Sequence, residues 1–166
     1  MVDSVIEHWR GASDKDRLLK VVQPGLIGLI DGTVSTLAPI FASAYIAGSQ
    51  AALLVGLAAA LGAAISMGIS EGLSDDGTLT GRGDSLTRGV ITGVATFVGG
   101  SLHALPFLIN DVSTALALAY PVVACELIAI AWVRKRFLRV PLTQSLVQVT
   151  LAGTMVAAVG VAVGQA

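Results

Sequence analysis

In the stretch GLIDGTVSTLAPIFASAY, residues 28–45, one carboxylate, Asp31, stands among apolar, small and hydroxylic side chains. No further charge follows from Gly32 to Ser70. An ionised group inside so apolar a run is expensive, about 2.5–3.5 kcal/mol on membrane-insertion scales, and such groups generally face a cavity or an ion pathway. The chemistry open to Asp31 is cation binding and proton exchange. Its structural alternative is a hydrogen bond to a neighbouring helix. Further along, AAISMGISEGLSDDG spaces Met67, Glu71 and Asp75 four apart, on one face if the helix runs that far. Carboxylates alone suit Mg²⁺ or Ca²⁺, whereas an added thioether favours a softer divalent ion such as Fe²⁺. Methionine alone is ordinarily a packing residue. Beside Glu71 it points to a transition metal, so the metal candidates are Asp31, Met67, Glu71 and Asp75.

Two more ionisable residues lie in apolar surroundings. Glu126, in PVVACELIAIAWVRKR, is too far from Arg134 for direct contact and either relays a proton or plays a structural part. His103, in GGSLHALPFLIN, is a ligand, a proton site or a hydrogen-bonded packing residue. The proton-relay candidates are therefore Asp31, Glu126 and His103. Asp111, beside Asn110, reads as a turn and helix-start residue. The sequence GRGDS at 81–85 contains a cell-adhesion tripeptide, but the charge pattern described below places it in the cytoplasm. There is no glycine-rich loop after a strand, no Walker lysine and no HExxH, so neither an ATPase nor another enzyme is expected. Basic residues cluster at helix ends without interleaved aromatics, which argues for orientation rather than nucleic-acid binding.

The elements that must position these residues follow from composition. The 166 residues are 54% apolar and 13% charged, with a mean hydropathy of +0.81. Soluble domains carry about 25% charged residues. About 20 apolar residues in a helix cross the hydrocarbon layer. Five segments reach that length: Val21–Gly48, Ala51–Glu71, Leu86–Ile109, Val112–Val133 and Val140–Gly164. The expected fold is all-α and integral to the membrane, with five transmembrane helices in one domain over 21–166. Residues 1–20 form a cytoplasmic N-terminal segment lacking the features of a signal peptide. Val2, Val5, Ile6 and Trp9 recur there at helical spacing, giving either an interfacial helix or a frayed polar tail. Cys125 is the one cysteine, which excludes an intramolecular disulfide.

Charge sets the orientation. Arg10, Lys15, Arg17 and Lys20 precede the first span, Arg82 and Arg88 follow the second, and Arg134, Lys135, Arg136 and Arg139 follow the fourth. The other connections and the C-terminus carry no basic residue. Positive charge is retained on the cytoplasmic side, so the N-terminus is expected in the cytoplasm and the C-terminus outside. Gly56, Ala60, Ala64, Gly68 and Gly72 recur every four residues, as do the pairs Gly28/Gly32, Gly89/Gly93 and Gly160/Gly164. Close backbone approach through small residues supplies helix packing in lipid, and the surplus of such faces suggests a homodimer. Pro39 lacks an N–H and frees the Ser35 carbonyl, one turn from Asp31.

GLIDGTVSTLAPIFA and GLAAALGAAISMGISEGLSDDGTLTGRG, with HALPFLI and ELIAIAWVRKRF beyond them, resemble the vacuolar iron transporter family. They look closest to the membrane domain of bacterial membrane-bound ferritins, and the likeness covers about residues 20–164. It implies five helices with a cytoplasmic N-terminus and a homodimer with its metal path near the dimer axis. It also implies export of Fe²⁺, and often Mn²⁺, from the cytosol in exchange for protons. Asp31 and Met67 match pathway residues, and Glu71 matches a glutamate at the cytoplasmic mouth. Two departures stand out. The connection Gly72–Ser85 lacks the long acidic extension of vacuolar members, and about twenty residues stand where membrane-bound ferritins carry a ferritin-like domain. Asp75, Asp76 and Asp84 are then a residual acidic funnel or solvated loop charges.

The function expected is a proton-coupled divalent-metal exporter for Fe²⁺ or Mn²⁺, in a bacterial plasma membrane by that likeness. The metal is a transported substrate, and no permanently bound cofactor is expected. The alternative is a non-transporting membrane anchor that docks a separate ferritin-like iron-storage partner.

Overall fold

A computed structural model of the chain describes residues 14–166, which are helical with no strand among them. A helical turn, Asp14–Arg17, and a π-helical turn, Leu18–Val22, lead into α1, Gln23–Ser35. Then come α2, Leu37–Ser74, and α3, Ser85–Leu102. A 3₁₀ turn, Leu105–Leu108, precedes α4, Val112–Leu138, and α5, Leu142–Gln165. The surface helix expected from Val2, Val5, Ile6 and Trp9 lies outside the described residues.

Among the described residues, three helical stretches are long and apolar enough to cross a membrane: Lys15–Ser74, Val112–Leu138 and Leu142–Gln165. The first, at 60 residues, would be about 90 Å long if straight, some three times the hydrocarbon layer. It is not straight. At Gly48 the backbone takes φ 83° and ψ −171°, a conformation open to a residue without a Cβ, and α2 breaks there. Beyond the break the chain turns back. Gly56 abuts the Ile40 side chain, a pair that an unbroken helix would hold about 24 Å apart. A milder interruption at Thr36 separates α1 from α2. The Thr36 hydroxyl donates to the Gly32 carbonyl at 2.8 Å, back-bonding of the kind that bends helices. Pro39, one turn on, offers the Ser35 carbonyl no donor.

The expected span Leu86–Ile109 is shorter in the structure: α3 ends at Leu102 and the 3₁₀ turn follows. The reason is Pro106, which can neither donate to the Leu102 carbonyl nor pack its ring against it. The interior face of α3 is polar, with Arg88, Thr92 and Thr96 fully buried, because the helix is wedged between two others. Gly28 and Gly32 of α1 abut the α3 backbone at Thr92 and Thr96, so these two helices run parallel. On the other side, a Cβ at Gly93 would stand 2.9 Å from the Ala64 carbonyl and one at Gly68 3.0 Å from the Gly89 carbonyl. The second half of α2 is thus antiparallel to α3. Gly160 and Gly164 of α5 abut Ala38 and Ala42 of α2. The small-residue stripes that suggested a homodimer are therefore spent on packing within the chain. Around these contacts lie two apolar clusters, one on Leu37, Ile40, Phe41 and Phe107, the other on Leu26, Leu127, Ile130 and Val149.

Candidate functional site

Helix register sets the heights of the candidate residues. Gly32 stands level with Thr96 to Gly100 of α3, and Gly100 meets Ala60 of α2. Asp31 is accordingly level with about Leu61. Met67 lies about 9 Å nearer the N-terminal end of α3, and Glu71 about 15 Å nearer, at the helical rise of 1.5 Å per residue. The three form a ladder of stations rather than one coordination shell. Among the described residues no three His, Cys, Asp or Glu side chains converge on a point.

Asp31 is half-buried, and no hydrogen bond or ion pair engages its carboxylate among the described residues. Its place on α1 explains this. Gly28 and Gly32 turn to α3, while Leu26, with Leu29 and Ile30, packs on Leu127, Ile130 and Val149 of α4 and α5. At 100° per residue, Asp31 falls between these two faces, on the line Ile27–Asp31–Ser35. Ser35 at the end of that line is exposed. Among the described residues the line is only partly covered, Ile27 and Asp31 being half-buried.

Glu71 is buried in an arginine clamp. Its Oε1 accepts from Arg82 Nη2 at 2.7 Å and from Arg88 Nε at 3.0 Å. Arg88 also donates through Nη1 to the Gly83 carbonyl at 2.6 Å, and through Nη2 to the Asp75 carbonyl. One guanidinium thus holds both ends of the connection between α2 and α3. α2 ends at Ser74 and Asp75 is extended, so the four-residue spacing does not carry Asp75 onto the Met67–Glu71 face. The loop acids close local turns and a cap. Asp75 accepts from the Thr80 hydroxyl and, at 2.8 Å, from the Gly77 N–H. Asp76 accepts from the Thr78 N–H at 2.9 Å and its hydroxyl at 2.8 Å. Asp84 caps α3 through the Thr87 N–H at 2.7 Å and hydroxyl at 2.8 Å. These donors, Thr80 foremost for Asp75, Thr78 for Asp76 and Thr87 for Asp84, hold the three carboxyls below their ordinary 3.8.

The remaining candidates meet in the interior. His103, at the C-terminal end of α3, is fully buried, and Glu126 of α4 nearly so. His103 Nδ1 lies 2.9 Å from Glu126 Oε2, and its Nε2 lies 2.8 Å from Thr36 Oγ1. Arg134 bonds Gln148 at 2.8 Å instead. Asp111 caps α4 through the Thr114 N–H at 2.8 Å, the helix-start role its position suggested. Sequence reasoning did not single out Thr36 or Arg88 for the site. Thr36 is one of many hydroxyls in α1 and α2 and carries no signal. Arg88 carries one, being an arginine inside an expected span.

No protein-family model, curated protein or solved structure matches this chain.

Proposed function

We propose that the chain is a five-span, proton-coupled exporter that carries a divalent transition metal, Fe²⁺ or Mn²⁺, out of the cytosol as a homodimer. The observation that carries this reading is Asp31, a half-buried carboxylate with no partner among the described residues, on a line of α1 that they cover only in part. Facing lipid, that group would be costly. A second copy about a twofold axis covers the same line on both chains and brings two Asp31 side chains to one path. Met67 and Glu71 then stand as successive stations toward the end where Arg82 and Arg88 lie. The thioether biases the path toward softer ions. A carboxylate suits antiport because metal and protons compete for the same oxygens. At the mouth, Arg82 is the partly exposed partner of Glu71 and Arg88 the buried one, so an arriving cation displaces Arg82.

Five passes follow if the Lys15–Ser74 stretch crosses twice, turning at Gly48, and α3, α4 and α5 cross once each. The basic connections then share one side, which the retention of positive charge makes cytoplasmic. The resemblance to bacterial proteins favours the plasma membrane. The test is Fe²⁺ flux in liposomes of equal protein content, wild type against Asp31→Asn. The near-isosteric amide keeps the fold and abolishes flux. Equal flux in the two makes Asp31 structural and ends this mechanism, and a wild type that carries no metal favours the anchor alternative.

A further inference from the structure

A buried polar group also lies off the Asp31–Glu71 ladder. It is the chain Gly32 carbonyl, Thr36, His103 and Glu126, linked at 2.8, 2.8 and 2.9 Å. Donor counting fixes most of its protons. A carbonyl only accepts, so the Thr36 hydroxyl donates to Gly32, and the Thr36 oxygen must accept from His103 Nε2–H. The Nδ1–Oε2 contact then requires one more proton, on Nδ1 or on Oε2, since two bare acceptors repel at that distance. The pair thus holds a single proton between two side chains. The other Glu126 oxygen, Oε1, is shielded from solvent and has no partner, an acceptor held ready in the interior.

We propose that His103 and Glu126 together carry the counter-proton of transport, and that Thr36 couples this proton to the metal site. The proposal rests on the exporter reading. When the shared proton leaves, Glu126 is a carboxylate and needs a donor from Nδ1. The imidazole supplies one by changing tautomer, its remaining proton passing from Nε2 to Nδ1. Bare Nε2 now accepts, so the Thr36 hydroxyl turns to it and abandons the Gly32 carbonyl. Three protons in the chain become two, and the third departs. The Thr36 N–H, the usual helical donor to that carbonyl, is turned to Val34. The released oxygen, on the residue that follows Asp31 in the chain, becomes available to a cation. Reprotonation reverses each step and withdraws it. This exclusion adds to the competition of metal and protons for the Asp31 oxygens.

The surroundings leave few competitors for this role. Titratable groups on the elements packed around the pair are Asp31 on α1, Tyr45 on α2, and Tyr120, Cys125 and the basic run Arg134, Lys135 and Arg136 on α4, the last three about 12–15 Å along the helix from Glu126. The two tyrosine hydroxyls bond each other at 3.1 Å, and Cys125 is exposed. Arg88 lies at the far end of α3, about 22 Å along the helix. The second half of α2 as far as Ser70, the 3₁₀ turn and α5 carry no ionisable side chain.

The experiment compares Fe²⁺ flux with and without an opposing pH gradient, in wild type and Glu126→Gln. The glutamine amide donates permanently to Nδ1 and fixes the proton-loaded arrangement, so the ratio of the two fluxes falls to one. Thr36→Val cuts the link and lowers the ratio in the same way. A Glu126→Gln ratio equal to the wild-type value overturns the proposal, whereas absent wild-type flux overturns the exporter reading first. A second readout is independent of transport. The chain has two histidines, His8 and His103, so ¹⁵N-histidine labelling resolves the His103 ring. Raising the pH moves its proton from Nε2 to Nδ1 in wild type and leaves it on Nε2 in Glu126→Gln. A wild-type ring that never changes tautomer also overturns the proposal.

Discussion

Asp31, Met67, Glu71 and Arg88 differ in what their removal should do, and the differences follow from what each touches. On the exporter proposal, Met67→Leu keeps shape and would lose the soft ligand, so flux should persist while preference moves from Fe²⁺ toward the harder Mn²⁺. Competition between the two ions in liposomes measures this, and unchanged preference would make Met67 a packing residue. Arg88 is a different case. Fully buried, it serves Glu71 and the carbonyls of Gly83 and Asp75 at once. Arg88→Gln leaves those acceptors underserved, a loss of about 3–5 kcal/mol for a broken buried pair. Arg82→Gln removes only the partly exposed partner and costs much less. Thermal unfolding in detergent should rank Arg88→Gln well below Arg82→Gln, and the reverse order would contradict the clamp described here.

At the scale of the element, α3 depends on its cap and on the glycines that receive it. The Thr87 N–H and hydroxyl bond the ionised form of Asp84, which depresses its pKa below the ordinary 3.8. A group depressed in the folded state stabilises fully above its unfolded value and loses that contribution as pH falls through the folded one. Acidification below 3.8 should therefore fray the start of α3. Asp84→Asn still caps, since asparagine is a good N-cap, but titrates no longer. Its melting temperature should fall less steeply with acid than that of wild type, and identical acid profiles would leave the cap without weight. Gly32→Leu is predicted to damage the fold itself, because the side chain would enter the α3 backbone at Thr96. A Gly32→Leu chain that stays folded but becomes monomeric would return that stripe to a dimer face.

For the whole molecule, the proposed dimer is tested on the Ile27–Asp31–Ser35 line of α1. With Cys125→Ser as background, Ser35→Cys should form a disulfide between two copies in native membranes, because the proposed twofold axis would bring that line against itself. Monomer alone would remove the shared metal path. Topology is tested on exposed positions. Gln50→Cys, beyond the Gly48 reversal, should react with an impermeant thiol reagent from outside, and Leu79→Cys in the α2–α3 connection should not. Labelling at both would overturn the span count, and the opposite pattern would overturn the orientation.

Length and apolarity of the segments, the missing charge from Gly32 to Ser70 and the alternation of basic connections are all properties of the chain itself. So is the helix-start role of Asp111, because a cap bonds residues only three positions away. These were legible because their causes are local or compositional. Helical spacing also placed Met67 and Glu71 on one face, yet it could not say that Glu71 meets two arginines, or that α2 stops before Asp75. Glycine spacing marked close-packing faces but not their partners, and folding assigned them to neighbours within the chain. His103 and Glu126 are 23 residues apart, and Thr36 and His103 are 67 apart. Only the packing of α3 and α4 beside the Thr36 interruption joins them, since spacing along a helix sets which way a side chain points and tertiary contact alone sets what it meets.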